Sequence, residues 1–132
     1  MIVILDVSAA IEIILKKPKK ALFDSHYQGA TWVIAPDLYI SEISNVFWKY
    51  CQAKALTRED CIQYVEDGIK MIDDFIDAKE LWKEALGEGI KNSHSVYDMF
   101  YAVLTRRNDG KLITDDASLA SVCRKLKIGV VN

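Results

Sequence analysis

Four acidic residues stand at points where the chain passes from one kind of segment to the next: Asp6 after MIVIL, Glu42 within PDLYISEISN, Asp98 within SVYDMFYAVLTRR, and Asp116 at the end of LITDD. Carboxylates brought together in that number repel one another, because no base among them compensates the charge. A hard divalent cation relieves the repulsion. Mg²⁺ or Mn²⁺ takes oxygen ligands in octahedral geometry, keeps several waters, and inverts the local charge so that an acidic pocket accepts an anionic substrate. The chemistry implied is metal-assisted hydrolysis of a phosphodiester, in which bound water becomes the nucleophile and the ion stabilises the attacking and leaving oxygens. Ser8 and Thr114, next to the strand-end acids, are expected to offer a hydroxyl to water or phosphate, with Asp115 beside them.

The elements that must position these groups are legible in the apolar spacing. Val96, Met99, Phe100, Val103 and Leu104 form the i, i+3, i+4, i+7, i+8 stripe of a helix, with Asp98 off the stripe. Ser95 is its expected N-cap, Arg106 and Arg107 close its last turn, and Asn108-Asp109-Gly110 stops it. Lys111 to Thr114 follows as a strand. Met1 to Leu5 and Thr31 to Ala35 read as strands buried on both faces, and Ile128 to Val131 as a last one. Helical patterns fill Ser8 to Leu15, Ala21 to Gln28, a long stretch from Asp37, and Ala117 to Leu126. Two capping boxes open further helices: Thr57 with Asp60, turning Cys61, Ile62, Val65, Ile69 and Ile72 inward, and Asp77 with Glu80, carrying Ala78, Leu81, Trp82, Ala85 and Leu86.

Strands alternating with helices, and apolar on both faces, predict an α/β domain with a mainly parallel sheet. In such folds helix N-termini and strand C-termini meet at one edge, where ligands bind. Asp6 and Asp116 end strands, and Glu42 and Asp98 lie near helix starts, so all four are expected at that edge. Taken singly, each acid has a structural explanation, as a helix cap or a solvated helix residue. It is their convergence that predicts a site.

The chain has 132 residues, of which 51% are apolar, and a formal net charge of -2. That is enough for one ordinary domain over residues 1–132, and it gives no broad basic field, so a nucleic-acid partner must be held by local patches or by metal. Cys51, Cys61 and Cys123 lack metal-ligand spacing and fit reduced, buried residues of a cytoplasmic protein. The five-residue apolar start is too short for a signal or a membrane span, so a soluble protein without membrane attachment is expected. The run Lys16-Lys17-Pro18-Lys19-Lys20 reads first as a solvated loop, with RNA contact the lesser alternative. His94 and His26 are not expected to act as bases, and Trp32, Trp48 and Trp82 are expected in the core or a dimer interface.

The N-terminal strand ending in Asp6 with Ser8 two residues on, PDLYISEISN, SVYDMFYAVLTRR, and LITDD followed by ASLASVCRKLKI together resemble a PIN domain, especially the small VapC-type toxin nucleases. The resemblance covers essentially the whole chain. It implies a three-layer α/β/α sandwich and an endoribonuclease whose Mg²⁺ or Mn²⁺ is bound by Asp6, Glu42, Asp98 and Asp116. It also implies a homodimer and an antitoxin partner. Thr114 and Asp116 match the family's Thr, any residue, Asp pattern, with Asp115 intervening. Two alternatives compete: a phosphoacceptor or signalling α/β domain, disfavoured because Val7 stands where a second acid would be needed, and a catalytically silent PIN-like binding module.

Overall fold

The first strand shows how the molecule is layered. In β1 (Ile2–Leu5), Val3 and Leu5 enter one apolar cluster while Ile4 enters another, as the twofold alternation of a strand requires. The computed structural model describes residues 1–132. Its sheet adds β2 (Trp32–Pro36), β3 (Asp74–Ile76), β4 (Lys111–Ile113) and β5 (Val130–Val131), in the order β3-β2-β1-β4-β5. Every neighbouring pair is parallel.

Helices α1 (Val7–Ile14), α2 (Lys20–Gln28), α3 (Leu38–Gln52) and α4 (Arg58–Lys70) supply the core that Val3 and Leu5 join. Helices α5 (Trp82–Asn92), α6 (Val96–Arg107) and α7 (Ala117–Lys125) supply the core that Ile4, Ile34 and Leu112 join. The result is the expected three-layer α/β/α sandwich on a parallel sheet. All three central strands run the same way, so the residues that follow β1 and β4 emerge at one edge. None of the helices is long and apolar enough to cross a membrane.

Three features depart from the expected elements. β3 was not anticipated: it is three residues long, flanked by Asp73 and Asp77, and lies at the sheet's margin, where pairing with β2 rather than its own pattern makes it a strand. In α4 the inward stripe is shifted, leaving Ile62 52% exposed and burying Gly68 instead. A Cβ at Gly68 would lie 2.2 Å from the Ile43 side chain, so it is the missing side chain that lets α3 and α4 approach. The device at Asp77 produces a 3-10 turn, Ala78–Glu80, before α5 begins. Along α5 the buried residues are Ala85 and Gly89, preceded by Leu81, while Trp82 and Leu86 face out. Small residues permit close contact with α6; the larger ones one position on do not.

Trp48 and Trp82 are each more than half exposed, so neither is a core residue, and Trp32 donates its indole N–H to Asp74 at 2.7 Å. Cys61 and Cys123 are buried and Cys51 is half-buried, all as free thiols.

Candidate active site

Asp6 follows β1 and is the N-cap of α1; Asp116 follows β4 and is the N-cap of α7. Glu42 sits in the second turn of α3, and Asp98 in the first turn of α6. All four line one cavity of about 460 Å³. Elements separated by as many as 110 residues of chain thus deliver their acids to the edge that parallel topology predicts.

Asp6 is the most buried of the four, at 6% exposure, and the most heavily bonded. Its Oδ1 accepts the Ser8 hydroxyl at 2.7 Å and the Ala9 N–H at 3.0 Å, and its Oδ2 accepts a short bond from the Thr114 hydroxyl. The Ser8 and Thr114 oxygens in turn accept the backbone N–H groups of Asp115 (2.9 Å) and Asp116 (3.0 Å). The two hydroxyls therefore stitch the end of β4 to the end of β1 and aim Asp6. Thr114 is fully buried and turned to Asp6, while Ser8 lines the cavity as well as bonding Asp6. Burial raises the Asp6 carboxyl from 3.8 to about 6, against the opposing pull of these hydrogen bonds and with a further upward push from Asp98.

The other three acids share a pattern. Glu42 accepts the Tyr101 hydroxyl on Oε1 at 2.6 Å, Asp98 is joined to His94 Nε2 through Oδ2 at 2.8 Å, and Asp116 accepts the N–H groups of Ser118 and Leu119 on Oδ1. In each case the second carboxylate oxygen has no hydrogen-bond partner in the chain. Anchoring one oxygen fixes the rotamer, and the free oxygen remains available to a ligand. For Asp116 the helix-cap explanation and the functional one therefore do not exclude each other, because the cap occupies only one of its oxygens, whereas Glu42 and Asp98 cap no helix.

Burial pushes Glu42 and Asp98 upward, opposed by their hydrogen bonds to Tyr101 and His94, while Asp98 adds repulsion on Glu42 and Asp116 adds it on Asp98. Asp98 is accordingly the hub of mutual repulsion. The ion pairs of the molecule leave Asp6, Glu42 and Asp116 without a lysine or arginine, and Asp98 meets only His94. Asp115, by contrast, is paired with Lys19 at 2.8 Å. The donor set, all carboxylate oxygen, suits Mg²⁺ or Mn²⁺. As the side chains stand, no three acids or histidines close into a tight ligand cage.

Two participants escaped sequence reasoning. Tyr101, 2% exposed, lies three residues after Asp98 on the same helical face, a spacing that could have flagged it. His94 was set aside as a base, yet it engages Asp98 four residues on, while Ser95 holds the N-cap position without a side-chain cap bond. Arg106 and Arg107, at the far end of α6, pair with Glu84 of α5 and stay away from the site.

The chain matches no protein-family model and no curated protein. Solved structures do resemble it. PAE2754 from Pyrobaculum aerophilum superposes with a TM-score of 0.72 at 17% identity, covering 96% of this chain and 98% of that one. A chain of VapBC2 from Rickettsia felis, bound to a DNA fragment from their promoter, superposes with a TM-score of 0.68 at 14% identity, covering 100% of this chain and 98% of that one. The class defined by fold is thus the PIN-like α/β/α sandwich, shared along the full length with a VapBC2 chain.

Proposed function

We propose that this protein is a Mg²⁺- or Mn²⁺-dependent endoribonuclease in which Asp6, Glu42, Asp98 and Asp116 hold the cation. One observation carries the reading: four carboxylates from four elements line one cavity, and three of them keep an oxygen free of hydrogen bonds. A divalent cation in such a site supplies nucleophilic water and neutralises charge developing on phosphate oxygens. The residues of the chain do the rest. Thr114 and Ser8 hold Asp6, Tyr101 holds Glu42, His94 holds Asp98, and the start of α7 holds Asp116. The substrate is single-stranded or looped RNA, where the backbone is accessible.

The fold shared with a VapBC2 chain supports the toxin half of a toxin and antitoxin pair; with that reading go an antitoxin protein as inhibitor, a homodimeric state and a cytoplasmic location, as the sequence resemblance implies. The exposed Trp48 and Trp82 are residues that a protein partner would cover. The phosphoacceptor alternative fares worse, because the strand-end Asp6 is buried and bonded through both oxygens.

Asp98→Asn tests the assignment. Mn²⁺-dependent RNA cleavage is expected to fall by on the order of 10²-fold or more, with an unchanged far-ultraviolet circular dichroism spectrum. Equal cleavage by both proteins refutes it.

A further inference from the structure

The cavity is larger than a cation needs. From Glu42 to Tyr50 its wall follows eight residues of α3, about 12 Å at 1.5 Å per residue. An ion with six waters needs on the order of 100 Å³ of space open to water, well under half of the roughly 460 Å³ present. The end away from those four acids is lined differently, by Lys17, Asn45, Tyr50 and the apolar side chains of Ile11 and Val46, with Glu12 beside Lys17 accepting the Lys19 backbone N–H at 3.2 Å.

Apart from Glu12, the polar groups at this end are uncommitted. The exposed Asn45 amide makes no hydrogen bond to the chain, the Lys17 ammonium pairs with no acid, and the Tyr50 hydroxyl has no partner. Tyr50 itself is braced by Phe47, ring centroids 5.7 Å apart, and is half-buried with part of its surface toward the cavity. Asn45 lies one turn beyond Glu42 on the helical face that carries that acid, so a stiff element fixes the amide relative to the carboxylates.

We infer that this end of the cavity is a nucleoside subsite, in which Asn45, Tyr50 and Lys17 take one nucleotide of single-stranded RNA next to the bond to be cut. The inference rests on the nuclease reading above and adds which part of the substrate is read. An asparagine amide presents a donor and an acceptor side by side, the pattern that matches the edge of a base and best that of adenine. A tyrosine ring supplies a stacking face for an unpaired base, and an ammonium takes the flanking phosphate without regard to sequence. A base inside a duplex is stacked on its neighbours and cannot enter such a recess, so the subsite selects single strands.

The test uses the full chain in Mg²⁺, titrated separately with the four nucleoside 5′-monophosphates and followed by ¹H–¹⁵N spectra. The Asn45 side-chain amide signals are expected to move, with adenosine monophosphate binding about fivefold tighter than the weakest of the four. Asn45→Ala, at an exposed helical position that alanine suits, is expected to level the four affinities, and Lys17→Ala to weaken all of them alike. An unmoved Asn45 amide, or the same order of affinity in wild type and Asn45→Ala, overturns the subsite. Sequencing the ends produced from random RNA in Mn²⁺ separates this proposal from the one beneath it. RNA cut while the Asn45 amide ignores nucleotides sinks the subsite alone; an Asn45 response without any cutting sinks the nuclease reading and leaves nucleotide binding at this end with no scissile bond beside it.

Discussion

At one end of the cavity every carboxylate has a partner that fixes it; at the other, Lys17, Asn45 and Tyr50 have none within the chain. On the proposed function, the difference reflects what each end must do. Groups that share one small, highly charged ion need fixed geometry, and hydrogen bonds to one oxygen provide it without consuming the other. Groups that meet a larger, flexible ligand gain from rotamer freedom until the ligand arrives. Rigidity is therefore concentrated where the carboxylates are buried near one another, and burying their charge has a cost the free protein carries.

The cost gives the largest expected effect. Asp6 titrates at about 6 when folded and at 3.8 in its ordinary state, so the folded protein holds the proton more tightly. Between those values the folded state binds more protons than the unfolded one, and stability must fall as pH rises through the window and level off above it. A rise from 3.8 to about 6 corresponds to about 3 kcal/mol. Glu42 and Asp98, shifted in the same direction, add the same sign. Denaturant melts in a chelator are expected to show lower stability at pH 7 than at pH 4.5, a shallower slope in Asp6→Asn, and partial recovery at pH 7 on adding Mg²⁺. A flat profile in wild type would mean that the acidic end is not under electrostatic load.

Loosening the anchors comes next. Thr114→Val removes a donor from Asp6 and leaves the backbone N–H of Asp116 without its partner, so Mn²⁺ affinity by calorimetry is expected to drop 10- to 100-fold, roughly the range for loss of an outer-shell contact. Tyr101→Phe deletes one hydroxyl from Glu42, which lies on a more open part of the wall, and should cost about tenfold. If both variants bind Mn²⁺ as wild type does, fixed geometry at that end serves packing and not an ion.

The smallest effect belongs to the rim. Lys19 and Asp115 form a partly exposed pair, and Lys19→Ala is expected to change stability by less than about 1 kcal/mol. A larger loss by thermal melt would show that the lysine loop is part of the rigid end.

Apolar spacing alone established much here. Runs apolar on both faces announced a covered parallel sheet, and four of the five strands lie within a residue or two of where those runs are. The positions of Asp6, Glu42, Asp98 and Asp116 at element junctions led to their shared edge, because parallel topology leaves such junctions nowhere else to go. Other features arose only from packing between distant segments. β3 is a strand through its neighbour; Gly68 is buried because Ile43 needs its space; Ser8 and Thr114 bond Asp6 because β1 and β4 lie side by side. The Tyr101 bond to Glu42 spans 59 residues, and no local pattern encodes a contact between two helices until the sheet between them sets their distance. Periodicity specifies which face of an element is apolar. Which oxygen of a carboxylate is held, and by whom, is decided by the folded whole.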